Sequence, residues 1–222
     1  MLSDREKRIR LVRLRREQEL RRCALEPYHW LTTYAKTLDT HNPSEPVRTF
    51  PKKDYIHRMS EVWLAEQILF VMKSRQIMAT WTFVALYCWA CLFLQNQLVF
   101  FQSKREEDAV GEEEVAAGLL GRALVIFKHL PPWMAPTPTG PYNKLIVPGR
   151  SSMIWAVPEG GDIMRSHTAS GILSDEATSQ PEFRHAYTGA RPTIQGGGRL
   201  TVLSSVKGRE AFWNLCVGRL AA

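Results

Sequence analysis

The pattern that organises this chain is the alternation of short apolar runs with longer helical stretches between residues 68 and 204. Ile68–Met72 is an apolar run of strand length, bounded by polar residues. The charge-free stretch 77–99 follows, and Gln95-Asn96-Gln97 divides it. That division predicts a buried helix from Ala79 to about Leu94, a polar turn, and a strand over 98–102. Further strand signals recur at Lys144–Val147, 152–157, 170–174 and Arg199–Ser204. Ser103 is placed to cap a helix whose first turn, Glu106-Glu107-Asp108, is acidic and suits the helix dipole. That helical region is expected to break at Gly111 and to run to about Phe127. His129-Leu130-Pro131-Pro132-Trp133 ends it, and a Pro-rich loop leads to Pro141. Strands that alternate with helices predict an α/β fold, a mostly parallel sheet with helices on both faces.

Upstream, residues 1–26 form a charge-rich helix pattern in which Ile9, Val12, Arg13, Arg16 and Leu20 mix apolar and basic character around the wheel. It reads as a solvated helix, with an arm that binds DNA or a partner as the alternative. Residues 39–54 carry prolines, Asn42 and Ser44 and read as an extended linker. A helix over 53–67 then leads into the first strand.

At 222 residues, 45% hydrophobic and 23% charged, the chain has room for one α/β domain plus extensions. Its net charge of +7 favours a polyanionic partner. Of the four cysteines, Cys88 and Cys91 have metal or redox spacing. They sit in an apolar helical run with no second pair at zinc-site distance, so they read as buried free thiols. No disulfide framework is indicated, which fits a reducing cytosol, and the charged N-terminus has no apolar signal core. Residues 77–99 are long enough to cross a bilayer and follow basic residues. The break at Gln95-Asn96-Gln97 turns the reading to a buried helix and against a membrane partner.

Candidate chemistry lies in two places. Lys73-Ser74-Arg75-Gln76-Ile77-Met78-Ala79-Thr80 is a basic turn between a strand and a helix, closed by threonine. A nucleotide-phosphate loop is laid out this way: backbone N–H groups and the helix N-terminus meet the anion, a cation sits on the phosphates, and a hydroxyl reaches Mg²⁺. The loop departs from the common G-x-x-x-x-G-K-[ST] pattern. It has no glycine, and Ala79 stands where the lysine would be. Thr80 could instead cap its own helix. Far downstream, the apolar run ending in Ser174 carries Asp175-Glu176, which has the shape of a metal-holding and water-activating pair, with a solvated strand end as the alternative. Gly196-Gly197-Gly198 precedes a strand and reads as a tight turn.

With these pieces in order, the chain resembles the ATPase domain of the terminase large subunit of tailed bacteriophages and prophages, a P-loop NTPase. The residues that carry the resemblance run from about Phe50 to Ser205. They are Lys73-Ser74-Arg75-Gln76 with Thr80-Trp81, Ser103 and Ala109, Leu130-Pro131-Pro132-Trp133, Arg165, Leu173-Ser174-Asp175-Glu176-Ala177, and 197–205 with Ser204-Ser205. The resemblance implies ATP and Mg²⁺ as cofactors, and a nucleotide loop made of Lys73, Ser74, Arg75, Gln76, Ile77, Met78, Ala79 and Thr80. Arg75 is the first choice for the phosphate contact and Lys73 the second. Thr80 and Asp175 would hold the metal, so the strands ending at Met72 and Ser174 are expected to be neighbours, and Glu176 would orient and deprotonate the attacking water. Arg165 would be an arginine finger, and Ser204 and Ser205 would couple γ-phosphate to DNA movement.

The implied function is packaging of double-stranded phage DNA into a procapsid. The partners are a portal protein, a small terminase subunit and further copies in a ring. The location is the cytoplasm of the bacterial host, outside the mature virion. The alternative is a prophage-derived remnant with little ATPase activity, acting as a binding or assembly module. The expected division is 1–48 as a basic helical extension and linker, 49–207 as the ATPase domain and 208–222 as a short C-terminal helix or linker. A nuclease domain would follow in such a subunit. Its absence from these residues suggests a split gene, a truncated reading frame or an isolated motor domain.

Overall fold

Helix α4 (Ala79–Phe93) sets the architecture: it carries no charge, and twelve of its fifteen residues are buried. A helix that is apolar all round must be covered on every side, and here the sheet lies beneath it and other helices lie beside and above it. The computed structural model describes residues 3–39, 41–159, 164, 166–181, 183–205 and 211–218. In chain order the elements are α1 (Asp4–Leu25), α2 (Pro27–Thr33), β1 (Lys36–Leu38), β2 (Val47–Thr49), α3 (Asp54–Ala65), β3 (Ile68–Met72), α4 and β4 (Leu98–Ser103). Then come α5 (Glu106–Val110), α6 (Gly118–Lys128), β5 (Lys144–Val147), β6 (Ser152–Pro158) and β7 (Gly171–Ser174). A 3-10 turn (Ala177–Ser179), α7 (Phe183–Ile194), β8 (Arg199–Ser204) and α8 (Ala211–Cys216) complete the described elements.

The main sheet has six strands in the order β3-β8-β7-β4-β6-β5. All neighbours are parallel except β5, which runs antiparallel to β6. One face is covered by α4, α6 and the N-terminal helices, in a cluster that includes Trp30, Trp63, Phe83, Leu86, Phe101, Leu120, Ile126 and Leu173. The other face carries Phe100, Ile172, Leu200 and Val202 against Phe183, Tyr187, Ile194 and Phe212 of α7 and α8. Alternate residues of β4 and β7 therefore enter opposite cores, the period-two rule of strands buried on both faces. This is the mixed α/β fold that the alternating pattern predicts.

Tyr87 clasps α4 to the sheet. Its hydroxyl donates to the Ile172 carbonyl at 2.9 Å and lies 3.0 Å from the Thr201 hydroxyl. Burial pushes this phenol up to about 12. The ring fits because residue 171 is glycine: a Cβ there would stand 2.4 Å from a Tyr87 ring carbon.

Four sequence expectations are corrected. The strands ending at Met72 and Ser174 are expected to be neighbours because Thr80 and Asp175 share a site; instead β8 lies between them, and the side chains meet over its end. Order within a parallel sheet is set by the crossovers, and α7 folds back to lay β8 beside β7. The 39–54 linker contains β2, which pairs antiparallel with β1. Ser103 is the last residue of β4, and α5 starts from Arg105 with no side-chain cap. Finally, α1 is solvated from Asp4 to Gln18, but its last turn enters the core, where the Trp89 indole donates to the Cys23 carbonyl at 2.8 Å. Among the described residues, no helix is long and apolar enough to cross a membrane. Cys88 and Cys91 are buried free thiols whose ionisation burial pushes upward.

Candidate active site

The candidate site forms where β3, β8 and β7 end, along the carboxyl edge of the parallel sheet. Open α/β sheets place ligands at this edge. The 73–78 loop leaves β3, and its first backbone N–H, that of Lys73, donates to the Ser204 carbonyl at 2.9 Å. Gln76 and Met78 both take left-handed backbone angles, φ 63° and 58°. A non-glycine residue there costs about 1–2 kcal/mol. Glycine would relieve that cost, and this loop has none. Ile77 and Met78 pack against the core and hold the turn, while Ser74, Arg75 and Gln76 are exposed. Met78 precedes α4 and offers no side-chain cap, so the first N–H groups of a long, otherwise uncharged helix face the loop.

Thr80 does not cap its own helix. Its hydroxyl donates to Asp175 Oδ2 at 3.0 Å, across 95 residues of sequence and over the end of β8. Lys73 Nζ bridges the acidic pair, 3.3 Å from Asp175 Oδ1 and 3.0 Å from Glu176 Oε1. The Lys73 and Asp175 side chains are only 12% and 10% exposed, whereas Glu176 is 35% exposed and opens to solvent. Glu176 itself sits at φ 55°, a third strained residue in the same site. Strain of this kind concentrates where geometry is over-determined by its surroundings.

The last strand joins this edge through hydroxyls. Ser204 is fully buried, 2.7 Å from the Thr178 hydroxyl, and it accepts the Thr178 N–H at 3.0 Å. Ser205 Oγ donates to Glu176 Oε2 at 3.5 Å. Lys73, Thr80, Asp175, Glu176, Ser204 and Ser205 are thus brought together. Arg75 forms no side-chain hydrogen bond or ion pair among the described residues and is free to reach outward. Arg165 lies outside the described residues.

Three further residues escaped sequence reasoning. Gln180 donates from its amide to the Asp175 carbonyl at 2.9 Å and to Ser174 Oγ at 3.1 Å, fixing the strand end behind the acids. Thr178 ties Ser204 and Ser205 to the turn after Glu176. Arg122, on α6, stacks its guanidinium 5.7 Å from the Trp81 ring centroid. Burial draws its ionisation downward, and the charge of Asp175 opposes that shift. Gln180 and Thr178 had a signal in their closeness to Asp175-Glu176 in sequence; Arg122 had only its isolation as the one charge in the apolar run 115–127.

Chemically, the edge presents a hydroxyl and a carboxylate oxygen side by side, a second carboxylate open to water, an ammonium and a row of helix N–H groups. The paired oxygens suit a hard divalent cation, and the N–H groups with Arg75 suit an anion.

No protein-family model and no curated protein matches the sequence. Solved structures do match in fold. The large terminase of bacteriophage HK97 aligns with a TM-score of 0.56 at 15% identity, over 82% of this chain and 37% of that one. The large terminase ATPase domain of Thermus phage P74-26 aligns with a TM-score of 0.53 at 14% identity, over 74% of each chain. The large terminase of a thermophilic bacteriophage gives 0.52 at 15% identity, over 70% of this chain and 39% of that one. The chain therefore has the fold of phage large-terminase ATPase domains, and it spans about 37% of the length of the HK97 protein.

Proposed function

We propose that this chain is an ATP-hydrolysing motor domain of the phage large-terminase type, which couples Mg-ATP turnover to movement of double-stranded DNA into a procapsid. The observation that carries the proposal is the Thr80 hydroxyl bonded to Asp175 at 3.0 Å, with Lys73 joining Asp175 to Glu176, at the carboxyl edge of the parallel sheet. A loop hydroxyl and a strand-end carboxylate that already touch are a ready pair of oxygen ligands for Mg²⁺. When bound, that ion neutralises phosphate charge in the transferring group.

The chain's own groups have separate tasks. Backbone N–H groups from Gln76 to Thr80 and the start of α4 hold phosphate oxygens. Arg75 reaches them from the solvent side with a fork of N–H donors. Lys73 leaves the acids for the phosphates, or stays and holds them. Glu176, the more exposed acid, orients a water and accepts its proton. Ser205 reports the state of Glu176 to β8, and Ser204 with Thr178 carries it into the strand end. Arg165 serves a neighbouring copy in a ring. The portal, a small terminase subunit and the DNA complete the proposed machine in the bacterial cytoplasm, and the net charge of +7 suits the last of these.

A second reading is a remnant that binds nucleotide with little turnover. It is favoured by the glycine-free loop, strained at Gln76 and Met78. Phosphate release by the purified chain, with Glu176→Gln beside it, separates the readings. The motor reading expects turnover in the parent and binding without turnover in the variant. Binding without turnover in the parent supports the remnant. Equal turnover in both moves the water-activating role away from Glu176.

A further inference from the structure

The chemistry left unused by the sheet edge lies at the junction of the two N-terminal helices. Glu19 and Cys23 are one turn apart on α1 and share a face. The chain turns at Glu26-Pro27, and α2 brings His29 back onto that face. One donor atom from each of Glu19, Cys23 and His29 lies within 4.8 Å of the others. Among the described residues, no other group of three His, Cys, Asp or Glu side chains gathers its donors this closely. Glu19 Oε1 is 2.7 Å from His29 Nε2, 3.7 Å from Cys23 Sγ and 3.1 Å from the Tyr34 hydroxyl.

We propose that Glu19, Cys23 and His29 form a site for a Zn²⁺-class divalent transition metal, with the Tyr34 hydroxyl or a water in the fourth position. Thiolate, imidazole and carboxylate together make the mixed donor set that zinc takes and that magnesium and calcium do not. Ligand bonds of about 2.0–2.3 Å in a tetrahedron put donor atoms roughly 3.3–3.8 Å apart. The Glu19–Cys23 distance already fits that spacing, and the Glu19–His29 pair has to open slightly.

The surroundings are those of a supported site. His29 Nδ1 lies 3.5 Å from the Thr33 hydroxyl, a partner for the ring nitrogen that faces away from the metal. The Trp89 indole fixes the Cys23 backbone. Glu19 and His29 are 28% and 18% exposed, which leaves a path for an ion, while Cys23 is fully buried.

Binding exchanges the Cys23 S–H bond for a sulfur–metal bond, and the proton goes to solvent. A bound ion would staple α1 to α2 and fix the direction in which the basic helix leaves the domain.

The same atoms also satisfy a simpler description, in which Glu19 merely accepts hydrogen bonds from His29, Tyr34 and Cys23. Co²⁺ titration of the full chain, thiols reduced and metal stripped, distinguishes the two. The site predicts one Co²⁺ per chain, a thiolate-to-metal charge-transfer band and the visible bands of a four-coordinate ion, all displaced by Zn²⁺. Cys23→Ser abolishes the charge-transfer band, and His29→Gln weakens Co²⁺ binding at least about tenfold, with unchanged circular dichroism as the folding control. No charge-transfer band in the parent at saturating Co²⁺ overturns the proposal whatever the variants do. A band that survives in Cys23→Ser assigns it to another cysteine and overturns it equally.

Discussion

Lys73→Met removes one ammonium, keeps most of the side-chain length and leaves two carboxylates side by side. The expected loss follows from the geometry. Hydrogen bonds to charged groups contribute about 1.5–3 kcal/mol each, and truncating one partner of a buried ion pair costs about 3–5 kcal/mol. Glu176 is 35% exposed, so water screens its half of the bridge toward the surface value of about 0–1 kcal/mol. Asp175, at 10% exposure, carries most of the effect. Thr80 still donates to Asp175, which keeps the loss near the lower bound, at about 3 kcal/mol. For a chain of this size that is a fall in Tm of about 6–12 °C. Thermal unfolding followed by circular dichroism at neutral pH reads it directly. A cycle with Asp175→Asn isolates the pair, with a coupling of at least about 1 kcal/mol expected. Mg²⁺ should raise the Tm of Lys73→Met more than that of the parent, because a divalent cation then meets the acids without a competitor. A loss under about 0.5 kcal/mol, the scale of an unremarkable surface change, or a coupling of zero would refute the bridge as a structural element.

Other outcomes follow from the same structure. Tyr87→Phe leaves the Ile172 carbonyl and the Thr201 hydroxyl short of a partner in the core and should cost about 1–3 kcal/mol in a urea melt. Gly171→Ala drives a Cβ to 2.4 Å from the Tyr87 ring and should cost a similar amount, about 1–3 kcal/mol; Gly171→Ala combined with Tyr87→Leu should recover much of it. Hydrogen bonds from His29 first, and then Tyr34, lower the Glu19 carboxyl from 4.5. Its contribution is therefore complete above about that pH and is lost as pH falls through the lower folded value, so Glu19→Gln should flatten the acid limb of stability in metal-free buffer. Arg75→Ala should weaken Mg-ATP binding by about 1.5–3 kcal/mol by calorimetry, and a loss indistinguishable from zero would remove Arg75 from the phosphate site.

Much of this was legible because each signal was local. The charge-free helix after a basic turn, the polar break at Gln95-Asn96-Gln97 and the apolar runs gave α4, β4, β7 and β8 nearly to the residue. Asp175-Glu176 stood out because two acids at the end of an apolar strand are hard to explain by burial. The insertion of β8 between β3 and β7 was not legible, since parallel neighbours are chosen by crossovers whose packing is spread over whole helices. Strand β2 was missed because its partner is only three residues long and the prolines around it carry the stronger turn signal. Arg122 was hidden for a related reason: it comes from α6, far in sequence from both motifs, and being the one charge in the apolar run 115–127 does not say that Asp175 is the group it faces. Glu19, Cys23 and His29 have recognisable ligand types, but their convergence needs the turn at Glu26-Pro27, which spacing alone does not specify.

The central claim is a nucleotide site built on Thr80 and Asp175, and calorimetric titration of the purified chain with ATP tests it most directly. The account predicts binding that requires Mg²⁺ and weakens at least about tenfold in Asp175→Asn, one charge-assisted contact being worth 1.4 kcal/mol or more. No binding in the presence of Mg²⁺, or binding that is the same in parent and variant, would contradict it.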